Sequence, residues 1–249
     1  MYRRRLARQR ASRKRIKSFF VVVIVIGTTL AIIKGVSLIP DGLVHAKKSD
    51  KRTLGSVCLD PGHGGSDTGA NNQDLYERDL NLRVAERVES ILENDGYKVY
   101  MTRTTNDPYL TNNDRVTFCN GKNTDILVAI HQNYFTDSAT DYTTALYYNQ
   151  NSRGLAASLA NAEAARLGTT NNGIASFDDG ELMRAKMPAA LVEGFFISSD
   201  REYSLISAAG STRLADEASG IVQGVENYFK NPNQKPTQDT VLDQADSPE

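Results

Sequence analysis

Four side chains in this sequence could do chemistry together: His63, Glu77, His131 and Glu193. Two imidazoles and one carboxylate are a common catalytic zinc set, with the fourth position open to water. Zinc lowers the pKa of such a water to about 7, which makes hydroxide available at neutral pH. The remaining carboxylate can take the water's proton and pass it to a leaving amine. The reaction implied is metal-assisted hydrolysis of an amide by an attacking water. Other chemistries fit less well. His63 could be a surface histidine on a tight turn. A phosphate-cradling loop would need Gly-Lys-Ser/Thr after the glycines, and none follows. The sequence holds no compact HExxH and no Gly-x-Ser-x-Gly. Neither Cys58 nor Cys119 has a base beside it in sequence.

The elements that must position these groups are legible from composition. Leu54-Gly55-Ser56-Val57-Cys58-Leu59 reads as a buried strand that ends at Pro61. Asp60-Pro61-Gly62-His63-Gly64-Gly65 then turns sharply, because glycine permits backbone that other residues resist. Ser66 to Asn72 is a loop by composition. A helix is expected from about Arg78 to Asn94, with Leu80, Val84, Val88, Ile91 and Leu92 at helical spacing and Asp95-Gly96 as its stop. Tyr97 to Thr102 reads as a strand and Leu110 to Asn120 as a helix. Asp125 to Ile130 is a continuous apolar strand, as in a sheet covered on both faces, and it runs into His131. Two of the three histidines therefore stand at the carboxyl ends of buried strands, where open α/β sheets hold their ligands. Further along, Thr143 to Tyr148 reads as a strand, 152–167 as a helix, 169–180 as loop and Glu181 to Arg184 as a short strand. Pro188 to Val192 is a strand that runs into Glu193; a carboxylate there needs a partner or a task. Helices over about 200–209 and 212–229 close the domain. Alternating strands and helices predict a single α/β domain with a mixed, mostly parallel twisted sheet flanked by helices.

Outside that domain, charge is segregated. Nine Lys/Arg and no acid lie in residues 1–17, so the net charge of −1 hides an acidic remainder. Such a remainder is a poor match for nucleic acid, which demands a basic face. Residues 19–39 are apolar apart from Lys34 and long enough to span a bilayer core of about 20 residues. A transmembrane anchor, preceded by a basic cytoplasmic segment at 1–18, is the favoured reading. A signal peptide cut after Val44-His45-Ala46 is the alternative. Both place the working domain outside the cytoplasmic membrane: membrane-held and single-pass in one case, secreted to the wall in the other. Residues 40–53 read as a polar linker, and 231–249, with no apolar periodicity, as a disordered tail. Cys58 and Cys119 are read as two buried thiols, with a disulfide left open because pairing does not follow from sequence.

Four ordered stretches carry a more specific likeness: LDPGHGGSDTGA, YERDLNLRVAERV, DILVAIHQN and PAALVEGFFISSDRE. Together they resemble the zinc-dependent N-acetylmuramoyl-L-alanine amidases of the Amidase_3 type over about residues 55–230. The resemblance implies an amidase catalytic domain at 54–230 that takes Zn2+ as cofactor and peptidoglycan as substrate. It implies cleavage between the lactyl group of muramic acid and L-alanine of the peptide stem. By position, it makes His63, Glu77 and His131 the zinc ligands and Glu193 the catalytic acid/base. An inactive peptidoglycan-binding or regulatory relative, and a zinc peptidase acting on the stem, are the other readings. Two departures stand out. The third motif usually reads IHAN, whereas here Gln132 follows the histidine. The fourth usually reads ExGFISN, whereas here Glu193 is followed by Gly194-Phe195-Phe196-Ile197-Ser198-Ser199. Both leave the four chemical groups intact, and they are expected to alter the rim of the site and its substrate preference.

Overall fold

A computed structural model describes residues 53–236. The basic segment, the apolar stretch 19–39 and nearly all of the linker lie outside the described residues, as do residues 237–249 of the tail. Among the described residues no helix is long and apolar enough to cross a membrane.

The six-stranded sheet is built from β1 (Ser56–Pro61), β4 (Lys98–Met101), β5 (Ile126–Asn133), β6 (Tyr142–Tyr147), β7 (Thr170–Ser176) and β8 (Ala189–Phe196). Its order is β4-β1-β5-β8-β6-β7. Every neighbouring pair is parallel except β8 and β6, which run antiparallel. A small antiparallel hairpin, β2 (Asn71–Asn72) with β3 (Leu75–Tyr76), precedes α1 (Glu77–Asp95). The other helices are α2 (Asn112–Lys122), α3 (Arg153–Leu167), α4 (Gly180–Arg184), α5 (Asp200–Ser207) and α6 (Arg213–Lys230). The mixed, mostly parallel α/β architecture is the one expected from the alternation of elements.

Side-chain alternation along the central strands splits the core in two. Val57, Leu59, Ile126, Val128, Ile130, Ala190 and Val192 face α1, α3 and α6. Cys58, Leu127, Ala129, Ala189 and Leu191 face the opposite way, with Cys119 of α2 and Leu182 of α4. Burial on both faces is why β1, β5 and β8 read as apolar runs rather than alternating patterns. On the first face α6 lies close against α3: a methyl on Gly220 would sit 2.8 Å from the Glu163 Cα, and one on Gly224 2.8 Å from the Leu159 Cα.

Three expectations are corrected. The segment read as loop at 169–180 contains β7, an edge strand whose Thr-Asn-Asn-Gly start carries no apolar signal and which exists because β6 pairs with it. The segment read as a short strand at 181–184 is the helix α4, because the Asp179 side chain caps it by accepting from the Glu181 and Leu182 N–H groups. The two cysteines are paired, not free: Cys58 of β1 and Cys119 of α2 form a disulfide with their Cα atoms 5.7 Å apart. The packing of α2 on β1, 61 residues away in sequence, brings them together. The start of the expected tail is also placed, with Lys235 accepting through its carbonyl from Asn161 of α3.

The disulfide closes a long loop, so its removal frees the unfolded chain, at a cost of roughly 2–5 kcal/mol. That is comparable to burying one or two large apolar side chains. The double variant Cys58→Ala/Cys119→Ala is therefore expected to fold but to lose roughly 2–5 kcal/mol in denaturant unfolding. Wild type in reductant should match it, and an unchanged midpoint would show that the staple contributes nothing.

Candidate metal centre

The site forms at the carboxyl edge of the sheet, where β1 and β5 end side by side. His63 follows β1 on the glycine turn with φ at 62°, a left-handed backbone that is uncommon for a residue with a Cβ. Two buried arginines hold the turn in place. Arg103 donates to the Pro61 carbonyl and to the Gly62 carbonyl, both at 2.8 Å. Arg115 donates to the His63 carbonyl at 2.8 Å and pairs with buried Asp60 at 2.8 Å. With so many contacts fixing the backbone, the unfavourable φ is over-determined by its surroundings.

Glu77 opens α1. The hairpin before it folds back on the turn, with the Glu77 N–H donating to the Ala70 carbonyl. This aims the Glu77 side chain at both histidines. Glu77 Oε1 lies 3.1 Å from His63 Nε2 and 3.1 Å from His131 Nδ1. The same oxygen accepts from the Gln132 backbone N–H at 3.1 Å and from Asn81 Nδ2 at 3.3 Å, while Oε2 accepts from the Ala70 N–H at 2.9 Å. Burial alone would raise the Glu77 pKa. The hydrogen bonds from both imidazoles outweigh it and hold the carboxylate well below its usual range. For His63 the balance runs the other way: burial lowers its pKa, but Glu77 and Asp67 together raise it.

His63, Glu77 and His131 each offer one ligand atom, and these atoms lie within 4.8 Å of one another. Ligands of a tetrahedral zinc are about 3.4 Å apart, close to the observed Glu–His separations. The donor set, two imidazole nitrogens and one carboxylate, suits a borderline-soft divalent ion. Asp67 completes the fit. Its Oδ2 lies 2.9 Å from His63 Nδ1, which takes up that ring nitrogen and leaves Nε2 facing the cluster. Two glycines leave room: a methyl on Gly69 would lie 2.5 Å from Glu77 Oε2, and one on Gly62 would run into the His131 ring.

Glu193 lies one strand over. In the parallel β5–β8 pair it is the register partner of His131, so both side chains leave the sheet on the same face. Glu193 is 1% exposed, and neither carboxyl oxygen has a hydrogen-bond partner. Burial first, then the Glu77 and Glu217 carboxylates, push its pKa well above the usual value. Just beyond it the register slips: two steps on β5, from His131 to Asn133, face three on β8, from Glu193 to Phe196. Such a bulge re-aims the strand beside a site.

All four residues singled out in the sequence are thus at one edge of the sheet, three of them in mutual contact. Comparison with known proteins gives this arrangement a family. A family model described as N-acetylmuramoyl-L-alanine amidase, Amidase_3, matches residues 57–240. The chain belongs to the Amidase_3 family. The uncharacterized protein YqiI of Bacillus subtilis is 31% identical over 70% of this chain and 84% of its own length. The probable cell wall amidase LytH of Staphylococcus aureus is 32% identical over 70% of this chain, which spans 58% of LytH. Among solved structures, the catalytic domain of CwlV, an N-acetylmuramoyl-L-alanine amidase from Bacillus (Paenibacillus) polymyxa var. colistinus, matches with a TM-score of 0.66 at 29% identity, covering 71% of this chain and 98% of that one.

Other residues complete the site without a sequence pattern that marks them. Asp67, Asn81, Arg103 and Arg115 support it through the contacts given above. Only Asp67 carried a local hint, a carboxylate four residues after His63 in a glycine-rich loop. The arginines act on the backbone of the turn 41 to 54 residues away, which no local pattern signals. The expectation that Gln132 and Gly194 shape the rim is also corrected. Each follows a site residue on its strand, so each faces the opposite side of the sheet, and Gln132 is 3% exposed.

Asp67→Asn removes the charged partner of His63 Nδ1 while keeping its shape. It should weaken zinc binding by about 10–100-fold, the usual cost of losing an outer partner of a metal-ligating histidine. Competition with a chromogenic chelator measures this, and an unchanged affinity would remove Asp67 from the site.

Proposed function

We propose that this protein is a zinc-dependent peptidoglycan hydrolase that cleaves the amide between the lactyl group of N-acetylmuramic acid and L-alanine of the stem peptide. The observation that carries the reading is the convergence of His63, Glu77 and His131, with ligand atoms within 4.8 Å, beside the donor-less carboxyl of Glu193 in an Amidase_3 chain. His63, Glu77 and His131 would hold the ion. Bound zinc polarises a carbonyl oxygen and lowers the pKa of water. Glu193 supplies the proton traffic: it takes a proton from the attacking water and gives it to the departing L-alanine amine. Burial, with the Glu77 and Glu217 carboxylates, raises the pKa of Glu193, which strengthens it as the base that takes the water's proton. Asp67 keeps His63 in the ligand tautomer, and Arg103 and Arg115 keep the turn from relaxing.

We also propose that the domain works outside the cytoplasmic membrane, held by residues 19–39 as a single-pass anchor behind the basic segment 1–18, with 40–53 as linker. The charge pattern supports this through the preference of cationic flanks for the cytoplasmic side. The Cys58–Cys119 disulfide supports it too, since such bonds persist in oxidising compartments.

The test is digestion of purified sacculi by the zinc-loaded protein, with release of free stem peptides bearing an L-alanine amino terminus. Glu193→Gln should retain about one zinc per chain and lose about 10²–10⁴-fold in that release. Normal digestion by the variant would remove Glu193 from the chemistry. Sacculus binding without any release would favour a binding or regulatory protein, and fragments cut within the stem would favour a peptidase.

A further inference from the structure

Behind the metal centre, on the helix face of the sheet, lies a second group of polar side chains. Gln132 points there from β5, and Gly194 presents a bare Cα there from β8. Glu163 of α3 and Glu217 of α6 reach them from the helices, and both glutamates are 0% exposed. Gln132 Nε2 donates to Glu217 Oε1 at 2.5 Å. A methyl on Gly194 would lie 2.6 Å from Glu163 Oε1 and 2.9 Å from Glu217 Oε1, so both carboxyls rest where a side chain at 194 would be. Gly194 has no left-handed φ, and its requirement is for space.

The hydrogen bonds of this group do not close if both acids are ionised. Arg213 lies nearby but is engaged: Nε and Nη2 donate to Glu202, and Nη1 donates to the Leu167 carbonyl. Among the described residues, Glu163 receives no donor on either oxygen, and Glu217 Oε2 and Gln132 Oε1 lack one as well. An ionised carboxylate only accepts, so two of them would set buried charges around the one Gly194 Cβ position with no protein donor between them. One proton on Glu163 supplies the missing donor. The charged groups around it agree. Burial, then Glu217 and Glu193, push the Glu163 pKa well above its usual value, against a weaker opposing pull from Arg213. Burial raises Glu217 to about 8 despite Gln132 and Arg213, with Glu202 adding to the rise.

We propose that Glu163 is a neutral carboxylic acid whose O–H donates to Glu217, the acceptor that also receives the Gln132 amide N–H, and that this group positions the metal centre on the opposite face of the sheet. The link is one residue long. The side chain of Gln132 is held by Glu217, and its backbone N–H holds Glu77 Oε1 at 3.1 Å. Gln132 also lies inside the register slip that begins just beyond Glu193. Releasing the Gln132 side chain therefore loosens the peptide that orients Glu77. Glu163, Glu217 and Gln132 are positioning residues, which act by holding a ligand's partner and not by touching substrate or ion. The inference rests on the amidase reading only for what the centre does.

Two measurements test it, and neither involves peptidoglycan. The first is the melting temperature of the metal-free protein from pH 5 to 9. An acid whose folded pKa is raised contributes stability that is full below its unfolded pKa and lost as pH rises. Glu163→Gln keeps a donor and cannot ionise, so its melting temperature should gain on wild type steadily as pH rises. A constant difference would overturn the neutral assignment. The second is zinc affinity by chelator competition. Glu163→Gln should stay within about threefold of wild type, whereas Glu163→Met, which fills the space but donates nothing, should lose about tenfold or more. Gln132→Met should lose a similar amount, and the double variant should lose no more than either single change, as members of one chain do. Wild-type affinity in Glu163→Met, or additive losses in the double variant, would overturn the proposal. Should Glu163→Met not fold, Gln132→Met against wild type decides it in the same way. A protein that passes these tests yet digests no wall would refute the amidase reading alone.

Discussion

The carboxylate of Glu77 is the constraint on which the rest of the site depends. A charge buried at the end of a sheet is costly unless every lone pair is used. Here the backbone N–H groups of Ala70 and Gln132, the Asn81 amide and two imidazoles all converge on it. Meeting that demand fixes three separate parts of the chain. The glycine turn must bring His63 in, the hairpin must return the chain to the start of α1, and β5 must end with His131 alongside. The same donors that stabilise the charge leave the nitrogens and oxygens of the candidate metal site facing one another.

The surrounding architecture can be read as the means of holding that geometry against relaxation. Parallel pairing of β1, β5 and β8 places their carboxyl ends in a row, and register pairing puts Glu193 next to His131. The left-handed His63 backbone is unfavourable in isolation. It survives because Arg103 and Arg115 between them occupy the carbonyls of Pro61, Gly62 and His63. Asp60 accepts from Arg115 and from Thr102, so the charge of one clamp is itself paired in the interior. The disulfide ties α2, the helix that carries Arg115, to β1, which leads into the turn.

The two faces of the sheet divide the polar work. One carries His131 and Glu193, with their partners at the open edge. The other carries the Gln132, Glu163 and Glu217 group, sealed beneath α3 and α6 where those helices approach closely through Gly220 and Gly224. A single strand residue separates the two environments, because successive side chains leave a strand on opposite sides. That alternation explains how a change beside a site residue in sequence can be a change in the core.

Much of this was determined by the sequence alone. Uninterrupted apolar runs ending in His131 and Glu193 announced strands covered on both faces, and the glycines around His63 announced the turn. Those signals are local, since burial and backbone freedom act on the residues that carry them. What lay beyond the sequence depended on partners far along the chain. β7 is polar at its start and is a strand only because β6 supplies its hydrogen bonds. Cys58 and Cys119 pair only because α2 packs on β1. The roles of Arg103 and Arg115, and the inward direction of Gln132 and Gly194, likewise follow from tertiary packing. Residue type states what a side chain could do, and only the fold decides what it meets.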